Sequence, residues 1–507
     1  MANEIELKLR ISAGDLARLK RHPAITTAAS GKPVTRKLLS IYYDTPELAL
    51  LDHGVSLRIR RMSGQWFQAV KSAGKALAGL HQRLEWEDII AFDHPDFSKI
   101  TEPELTRIFD SEPLRDTLTP IFHTEVSRTE WQLHWDNGDH VELALDVGML
   151  TSGNHREPIS EIELELKQGG AGRLFDLALA LQQDIPLLIE NASKAERGYA
   201  QYRPQPPAVV RARHARLSAA MSGHEAFKQI AWDCLHHLQG NQAMVLDGED
   251  IEGVHQMRVA LRRLRSAMTV FRGITGGDGA QALLGELRWI TGVLGKARDL
   301  DVFLAQTLPP MLVQLHDHAG LHDLQKRAKN ARGKAYREVR DALASQRYQR
   351  MLLALGAWLE NSRWRTPDSP DPALIDIAHD NLRKRHRQLR RHGKRLMHMH
   401  PEERHATRIA AKKLRYSAEF FTSLYPSRTS RGLLASLREV LEILGLLNDI
   451  AVTENLIREI IGRNSSRALD ESLHLFTGWN ACNASHRLQG LEPAWRRFIR
   501  AKPFWEA

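Results

Sequence analysis

The sequence predicts an α+β chain: an antiparallel β-barrel with a charged interior, followed by an all-helical region that states one pattern twice. Strand-like alternation of charged and apolar residues fills roughly the first 200 positions and then stops. Arg203-Pro204-Gln205-Pro206-Pro207 marks the change, because proline neither continues a helix nor donates to a central strand. Beyond it, His255-x-x-Arg258-Val259-Ala260-x-Arg262-Arg263-Leu264-Arg265 returns as His405-x-x-Arg408-Ile409-Ala410-x-Lys412-Lys413-Leu414-Arg415, an offset of 150 residues.

The strands come first. Glu4, Glu6 and Lys8 alternate with Ile5, Leu7 and Leu9, and Glu161, Glu163, Glu165 and Lys167 alternate with Ile162, Leu164 and Leu166. Side chains two apart on a strand share a face, so each segment has one charged and one aliphatic face. A solvated sheet face would explain any single segment. Four more segments, around Arg58-Ile59-Arg60, Val70-Lys71, Arg83-Leu84-Glu85-Trp86-Glu87 and Glu142-Leu143-Ala144-Leu145-Asp146, show similar alternation. Together they predict a closed barrel whose charged faces line a tunnel and whose apolar faces lie outside under helices.

The charge mixture points to a ligand class. Arg58, Arg60, Lys71, Arg83, Arg128, Lys167, Lys194 and Arg197 supply cations suited to phosphate oxygens. The carboxylates repel phosphate but can hold hard divalent ions such as Mg²⁺ or Mn²⁺. A site with both predicts a metal-complexed polyphosphate, and phosphoryl transfer to water as the reaction.

Residues 1 to about 200 resemble the CYTH domain of the triphosphate tunnel metalloenzymes. The resemblance rests on Glu4-x-Glu6-x-Lys8, Tyr42-Tyr43-Asp44-Thr45-Pro46, Arg58-x-Arg60, Lys71, Arg83-x-Glu85-x-Glu87, Asp146, Glu161-x-Glu163-x-Glu165 and Ser193-Lys194-x-x-Arg197-Gly198-Tyr199, in that order. It implies an eight-stranded antiparallel tunnel that hydrolyses inorganic triphosphate or, in related members, hydrolyses thiamine triphosphate or cyclises ATP. It implies metal ligands at Glu4, Glu6, Glu163 and Glu165, with Glu161 and Asp146 as further candidates. Lys8 is expected beside these carboxylates in contact with phosphate, and Glu85 and Glu87 are expected to assist with water or a second metal.

Charge divides the chain in the same place. Residues 1–200 hold 23 Lys and Arg against 30 Asp and Glu, whereas residues 201–507 hold 48 against 31, so the net of +10 hides a polarised molecule. At 507 residues the chain is too long for one core. The expected division is a tunnel domain at 1–202, a linker at 203–217 and a helical domain at 218–507 in two halves, about 218–364 and 373–507. Thr366-Pro367-Asp368-Ser369-Pro370-Asp371-Pro372 is the expected seam. Leu294-Gly295-x-x-Arg298-Asp299 returns as Leu444-Gly445-x-x-Asn448-Asp449, a second landmark at the same offset.

At about 100° per residue, His255, Arg258, Arg262 and Arg265 fall within roughly 80° of one another, beside an apolar face, and His405, Arg408, Lys412 and Arg415 repeat the stripe. A lone basic stripe is ordinarily a solvated helix face. Its repetition, with further basic runs at Lys326–Lys329, Arg383–Arg387 and Arg390–Arg395, predicts attraction for a polyanion. This half resembles the CHAD domain, a helical histidine-containing module, and the resemblance implies binding of inorganic polyphosphate through His255, Arg258, Arg262, Arg263, Arg265, Arg298, His405, Arg408, Lys412, Lys413 and Arg415. The second copy departs from the first, with Lys412 and Lys413 for two arginines and Asn448 for Arg298.

Other classes have weaker support. No His-Glu-x-x-His occurs among the 24 histidines, and Cys234 and Cys482 are too few for a disulfide framework or zinc site. The start of the chain shows no basic and apolar leader, and no run of 18 apolar residues occurs, which predicts a soluble cytoplasmic protein without a membrane partner. Nucleic acid is disfavoured because no aromatics interleave the basic stripe. A non-catalytic polyphosphate adaptor is the alternative from another class.

Overall fold

The computed structural model describes residues 2–72, 74–213, 215–362, 372–393, 396, 399–462 and 466–506. Most of the expected seam at Thr366–Pro372 lies outside them, as do Lys394 and Arg395 of the last basic run. The chain adopts the predicted α+β architecture and forms two compact units, one of residues 1–206 with 344–363 and the other of 207–343 with 364–507.

The first unit is built on ten strands: β1 (Ala2–Ile11), β2 (Val34–Asp44), β3 (Val55–Met62), β4 (Gln65–Ser72), β5 (Lys75–Leu77), β6 (Leu80–Ile90), β7 (Thr119–His134), β8 (His140–Ser152), β9 (His155–Gln168) and β10 (Leu187–Ile189). Eight close a ring in the order β1-β9-β8-β7-β2-β3-β4-β6, because β1 pairs antiparallel with both β9 and β6. Short strands β5 and β10 extend β6 and β1. Tight hairpins suit this order. Ser63 and Gly64 join β3 to β4 with φ of 50° and 86°, the left-handed pair that matches strand twist.

The barrel is apolar on the outside. Leu7 and Leu9 of β1 are fully buried, while their neighbours Glu6 and Lys8 point to the other face. Outside β2, β3, β4 and β6, Tyr43, Leu57, Ile59, Val70 and Ile90 form one cluster with Leu105 and Phe109 of helix Pro103–Phe109. Helix Gly172–Leu181 buries Leu174, Phe175, Leu177 and Leu181. Each such side chain contributes about 1.5–3 kcal/mol of burial, so the outer shell fixes which parity faces the lumen.

Helix Gln346–Glu360 also belongs to this unit, although the sequence places it in the first helical half. Its Gln346 and Gln349 side-chain oxygens accept the β10 N–H groups of Leu187 at 3.2 Å and Ile189 at 3.0 Å. Gly356 lies so close to the Phe175 ring that a Cβ there would stand 2.2 Å from it.

In the second unit, helix Glu252–Val270 packs against Gly223–Gln239 and Asp278–Val302. Helix Pro401–Phe421 packs against Leu374–His392 and Ser427–Ile461 in the corresponding way, and also meets Glu252–Val270. Among the described residues, no helix is long and apolar enough to cross a membrane.

Candidate active site

The strand register sets the charges inside the barrel. Glu4 of β1 stands opposite Arg83 of β6, and Lys8 of β1 opposite Glu163 of β9. On β4 Lys71 faces Glu85 of β6, while Arg128 of β7 faces Asp146 of β8, which in turn faces Glu161 of β9. The resulting cavity of about 310 Å³ is lined by Glu4, Glu6, Lys8, Arg58, Arg60, Lys71, Arg83, Glu85, Glu87, Arg128, Glu163, Glu165, Lys167 and Lys194. Lys194 arrives from helix Lys194–Tyr202, whose Ser193 and Glu196 form a reciprocal capping box. Gly198 lets that helix lie on the barrel, since a Cβ would fall 2.2 Å from the Phe122 ring.

Nearly every cation here is held by a carboxylate. Lys71 Nζ donates to Glu4 at 2.9 Å and also contacts Glu85 at 3.0 Å, and Arg83 Nε donates to Glu4 at 2.7 Å. Lys8 bridges Glu6, at 2.9 Å, and Glu163. Arg58 reaches Glu87 at 3.1 Å and Glu85 at 3.3 Å. Arg60 is different: its Nε donates to Ser40 at 3.0 Å, and among the described residues it forms no ion pair, Glu87 acting on it only from a distance. Burial and the nearby Arg58 and Arg128 push its guanidinium down to about 10.

Asp146 and Glu161 lie behind the lining. They are buried beneath it next to the lining residue Glu163, with a carboxylate oxygen from each of the three within 4.8 Å of the others. Arg128 grips Asp146 through two bonds of 2.8 and 2.6 Å, Lys194 contacts Asp146 at 2.7 Å, and Arg197 donates to Glu161 at 3.1 Å. Arg197 therefore sits behind the lumen as well.

The electrostatics follow this pairing. Burial opposes ionisation of Glu4, but Lys71, Arg83 and Lys8 outweigh it and hold its carboxyl well below the usual range. Lys194, Lys8 and Arg128 do the same for Glu163 against its burial. Burial raises Glu165 instead; Lys167, 2.6 Å away, only partly offsets it, and Glu4 and Glu142 add to it. Hard oxygen donors converging on a cationic tunnel fit a divalent metal carried with phosphate.

Sequence reading missed Arg36 and Glu130, which pair with each other and line the cavity. Glu130 lies two residues from Arg128 on the same strand parity, a signal that was present. Arg36 shares its parity with Val34 and Leu38, which masks it.

The second unit gathers a different cluster. Burial, Arg298, Arg262 and Arg258 depress the His255 imidazole to about 4, with Glu252 opposing. Arg258 donates to the Thr291 carbonyl at 3.1 Å. Burial and then Arg408, Arg262 and Arg415 lower Lys412 to about 7, so cations from both copies of the repeat share one site. Arg408 approaches Asp449 at 3.7 Å. Arg263 turns elsewhere: it reaches Glu419 at 3.3 Å and stacks over Phe420. Burial and Arg288 lower Arg265, one turn from Arg262. Lys413 and His405 are exposed on helix Pro401–Phe421.

A closed antiparallel tunnel lined by carboxylates and cations, in one chain with a helical unit carrying a two-copy basic cluster, defines a two-domain class of protein. The CYTH domain family matches residues 2–199 and the CHAD domain family residues 229–458. The chain belongs to the proteins that join a CYTH domain to a CHAD domain. It is 35% identical over 201 residues to an inorganic triphosphatase of Haemophilus influenzae, a match spanning 39% of this chain and 55% of that protein. It is 26% identical over 504 residues to an uncharacterised Mycobacterium tuberculosis protein, covering 92% of this chain and 91% of the other. The CHAD domain from the plant Ricinus communis superposes with a TM-score of 0.53 at 32% identity, covering 58% of this chain and 98% of that one.

Proposed function

We propose that the tunnel hydrolyses inorganic triphosphate to pyrophosphate and phosphate with a divalent cation, and that the helical unit binds inorganic polyphosphate. The observation that carries the first part is the lumen itself, where carboxylates and cations suited to phosphate line one cavity together. The inorganic triphosphatase similar to its barrel half supports the substrate.

Glu4, Glu6, Glu163 and Glu165 would hold Mg²⁺ or Mn²⁺, which supplies charge neutralisation at the phosphoryl oxygens and a more acidic bound water. Arg60, lacking a carboxylate, is poised for phosphate, and Arg58, Lys71, Arg83, Arg128, Lys167 and Lys8 can exchange carboxylate contacts for phosphate oxygens. Lys194 reaches the lumen while bound to Asp146, so Asp146 and Glu161 position the cations rather than touch substrate. Water oxygen bonds to the terminal phosphorus, the bridging P–O bond breaks, and the proton released from water leaves through the tunnel carboxylates, with Glu85 and Glu87 available beside Arg58.

The helical reading rests on cations from two repeats meeting without enough carboxylates to balance them. The test is phosphate release with Mg²⁺ or Mn²⁺ from inorganic triphosphate, thiamine triphosphate, ATP and long-chain polyphosphate. Preference for inorganic triphosphate, lost in E4A/E6A, is expected. Tight binding without turnover of any of them would establish the adaptor alternative.

A further inference from the structure

We infer that a basic track leaves the His255 cluster, follows helix Glu252–Val270 to its end and crosses to helix Leu374–His392, seating the length of an inorganic polyphosphate chain. This rests on the reading that the helical unit takes polyphosphate, and it adds a surface that reading does not use. The track consists of adjoining grooves. The first, beyond Arg265, is lined by Met268, Thr269, Arg272 and Arg288. The next shares Thr269 and Arg272 with it and adds Arg383, Lys384 and Arg387. A third shares Arg383 and Arg387 and adds Arg390, Arg391 and Trp495.

The charges along this path are unbalanced. Among the described residues Arg383, Lys384, Arg387, Arg390 and Arg391 form no ion pair, and the groove's Asp380 is 3.9 Å from His379 of its own helix. Asp278 and Glu506 are the other carboxylates lining the three grooves. Arg385 adds a buried guanidinium Nε with no hydrogen-bond partner. Arg383, Arg387 and Arg391 recur every fourth residue, about 6 Å apart along one face at 1.5 Å per residue. A row of planar donors at that interval suits a repeating anion.

Inorganic polyphosphate fits this row better than a nucleic acid. Single-stranded nucleic acid gains much of its affinity from bases stacked on successive aromatics. Trp495 and His386 are the rings lining the three grooves; His386 is buried against Phe498 and Trp505, and part of the Trp495 ring is covered, since a Cβ on Gly393 would fall 1.9 Å from it. The path offers anion contacts and little for a base.

The experiment uses the full chain and its R383Q/R387Q/R391Q variant, with short and long polyphosphate in a binding titration at several salt concentrations. The three positions are exposed, and unchanged triphosphate turnover and helical circular dichroism serve as folding controls. Wild type is expected to bind long chains more tightly than short ones at equal phosphate. The variant is expected to bind short chains as before, lose about ten-fold or more for long chains, and show a salt dependence shallower by about two to three ions. The single variant R387Q should give a smaller loss in the same direction. Unchanged long-chain affinity and salt slope would overturn the track while leaving the cluster reading intact. Absence of polyphosphate binding by wild type would overturn both. Displacement of long polyphosphate by single-stranded RNA at equal phosphate would replace this assignment with a nucleic-acid surface.

Discussion

Tunnel and helical cluster both collect cations, yet they do so under opposite conditions. In the tunnel, Lys8, Lys71 and Arg83 each face carboxylates across a strand register that leaves little choice of partner, and Lys194 reaches Asp146 from its helix. In the helical unit, Arg258, Arg262, Arg298, Arg408 and Lys412 converge with few carboxylates, chiefly Asp299 and Asp449. Carboxylates fix the tunnel cations in place, although burial, Arg83 and Arg58 still lower Lys71; in the cluster, burial and neighbouring cations lower His255 and Lys412 with few carboxylates to offset them. The tunnel is therefore suited to exchanging partners during chemistry, and the cluster to retaining an anion.

The largest expected effect tests the tunnel side. E4A/E6A should reduce metal-dependent phosphate release from inorganic triphosphate by at least about a hundred-fold, because the divalent cation these carboxylates would hold neutralises charge on the phosphoryl oxygens. Polyphosphate binding by the same variant should be unchanged. Next comes removal of a buried partner: Arg128→Met takes one cation from Asp146 and Glu163, which keep Lys194 and Lys8, and should lower barrel stability by about 1.5–3 kcal/mol in a denaturant titration. Leu9→Ala, on the outer face, should cost a comparable 2–5 kcal/mol, about as much as a core cavity, without altering the lumen charges.

The cluster sharpens the contrast through pH. Lys412 lies at about 7, lowered from its ordinary value, and faces Arg408, Arg262, Arg415 and Asp449. An anion favours its protonated form, so polyphosphate binding should take up a proton, be strongest below about pH 7 and weaken by up to ten-fold per unit as pH rises above it. Lys412→Arg should flatten that profile at high affinity and Lys412→Gln at low affinity. The smallest effect is expected from Lys413→Gln, because that side chain points into solvent. A loss as large as that of Lys412→Gln would mean the cluster extends around the helix.

Much of this was legible because a charged lumen imposes a period of two. Glu4, Glu6 and Lys8 and their counterparts on β9 announce their shared face. What alternation cannot say is how deep a charge lies. Glu161 reads like Glu163, yet Arg197 and Lys194 hold it behind the lining. Arg263 reads as part of a basic run, but at about 100° per residue it falls on the opposite side of the helix from Arg265 and Arg258, where Glu419 and Phe420 receive it. Helix Gln346–Glu360 falls by sequence in the first helical half. Its membership of the barrel unit depends on Gln346 and Gln349 meeting two N–H groups of β10, a tertiary match that no local pattern encodes.

The central claim is that the two units handle different phosphate ligands by different means. Its most direct test measures triphosphate turnover and polyphosphate binding side by side in full-length E4A/E6A and R258Q/R262Q/K412Q. The account predicts that the first variant loses turnover and keeps binding, while the second keeps turnover and loses binding. Loss of both properties in either folded variant, or turnover that survives in E4A/E6A, would contradict it.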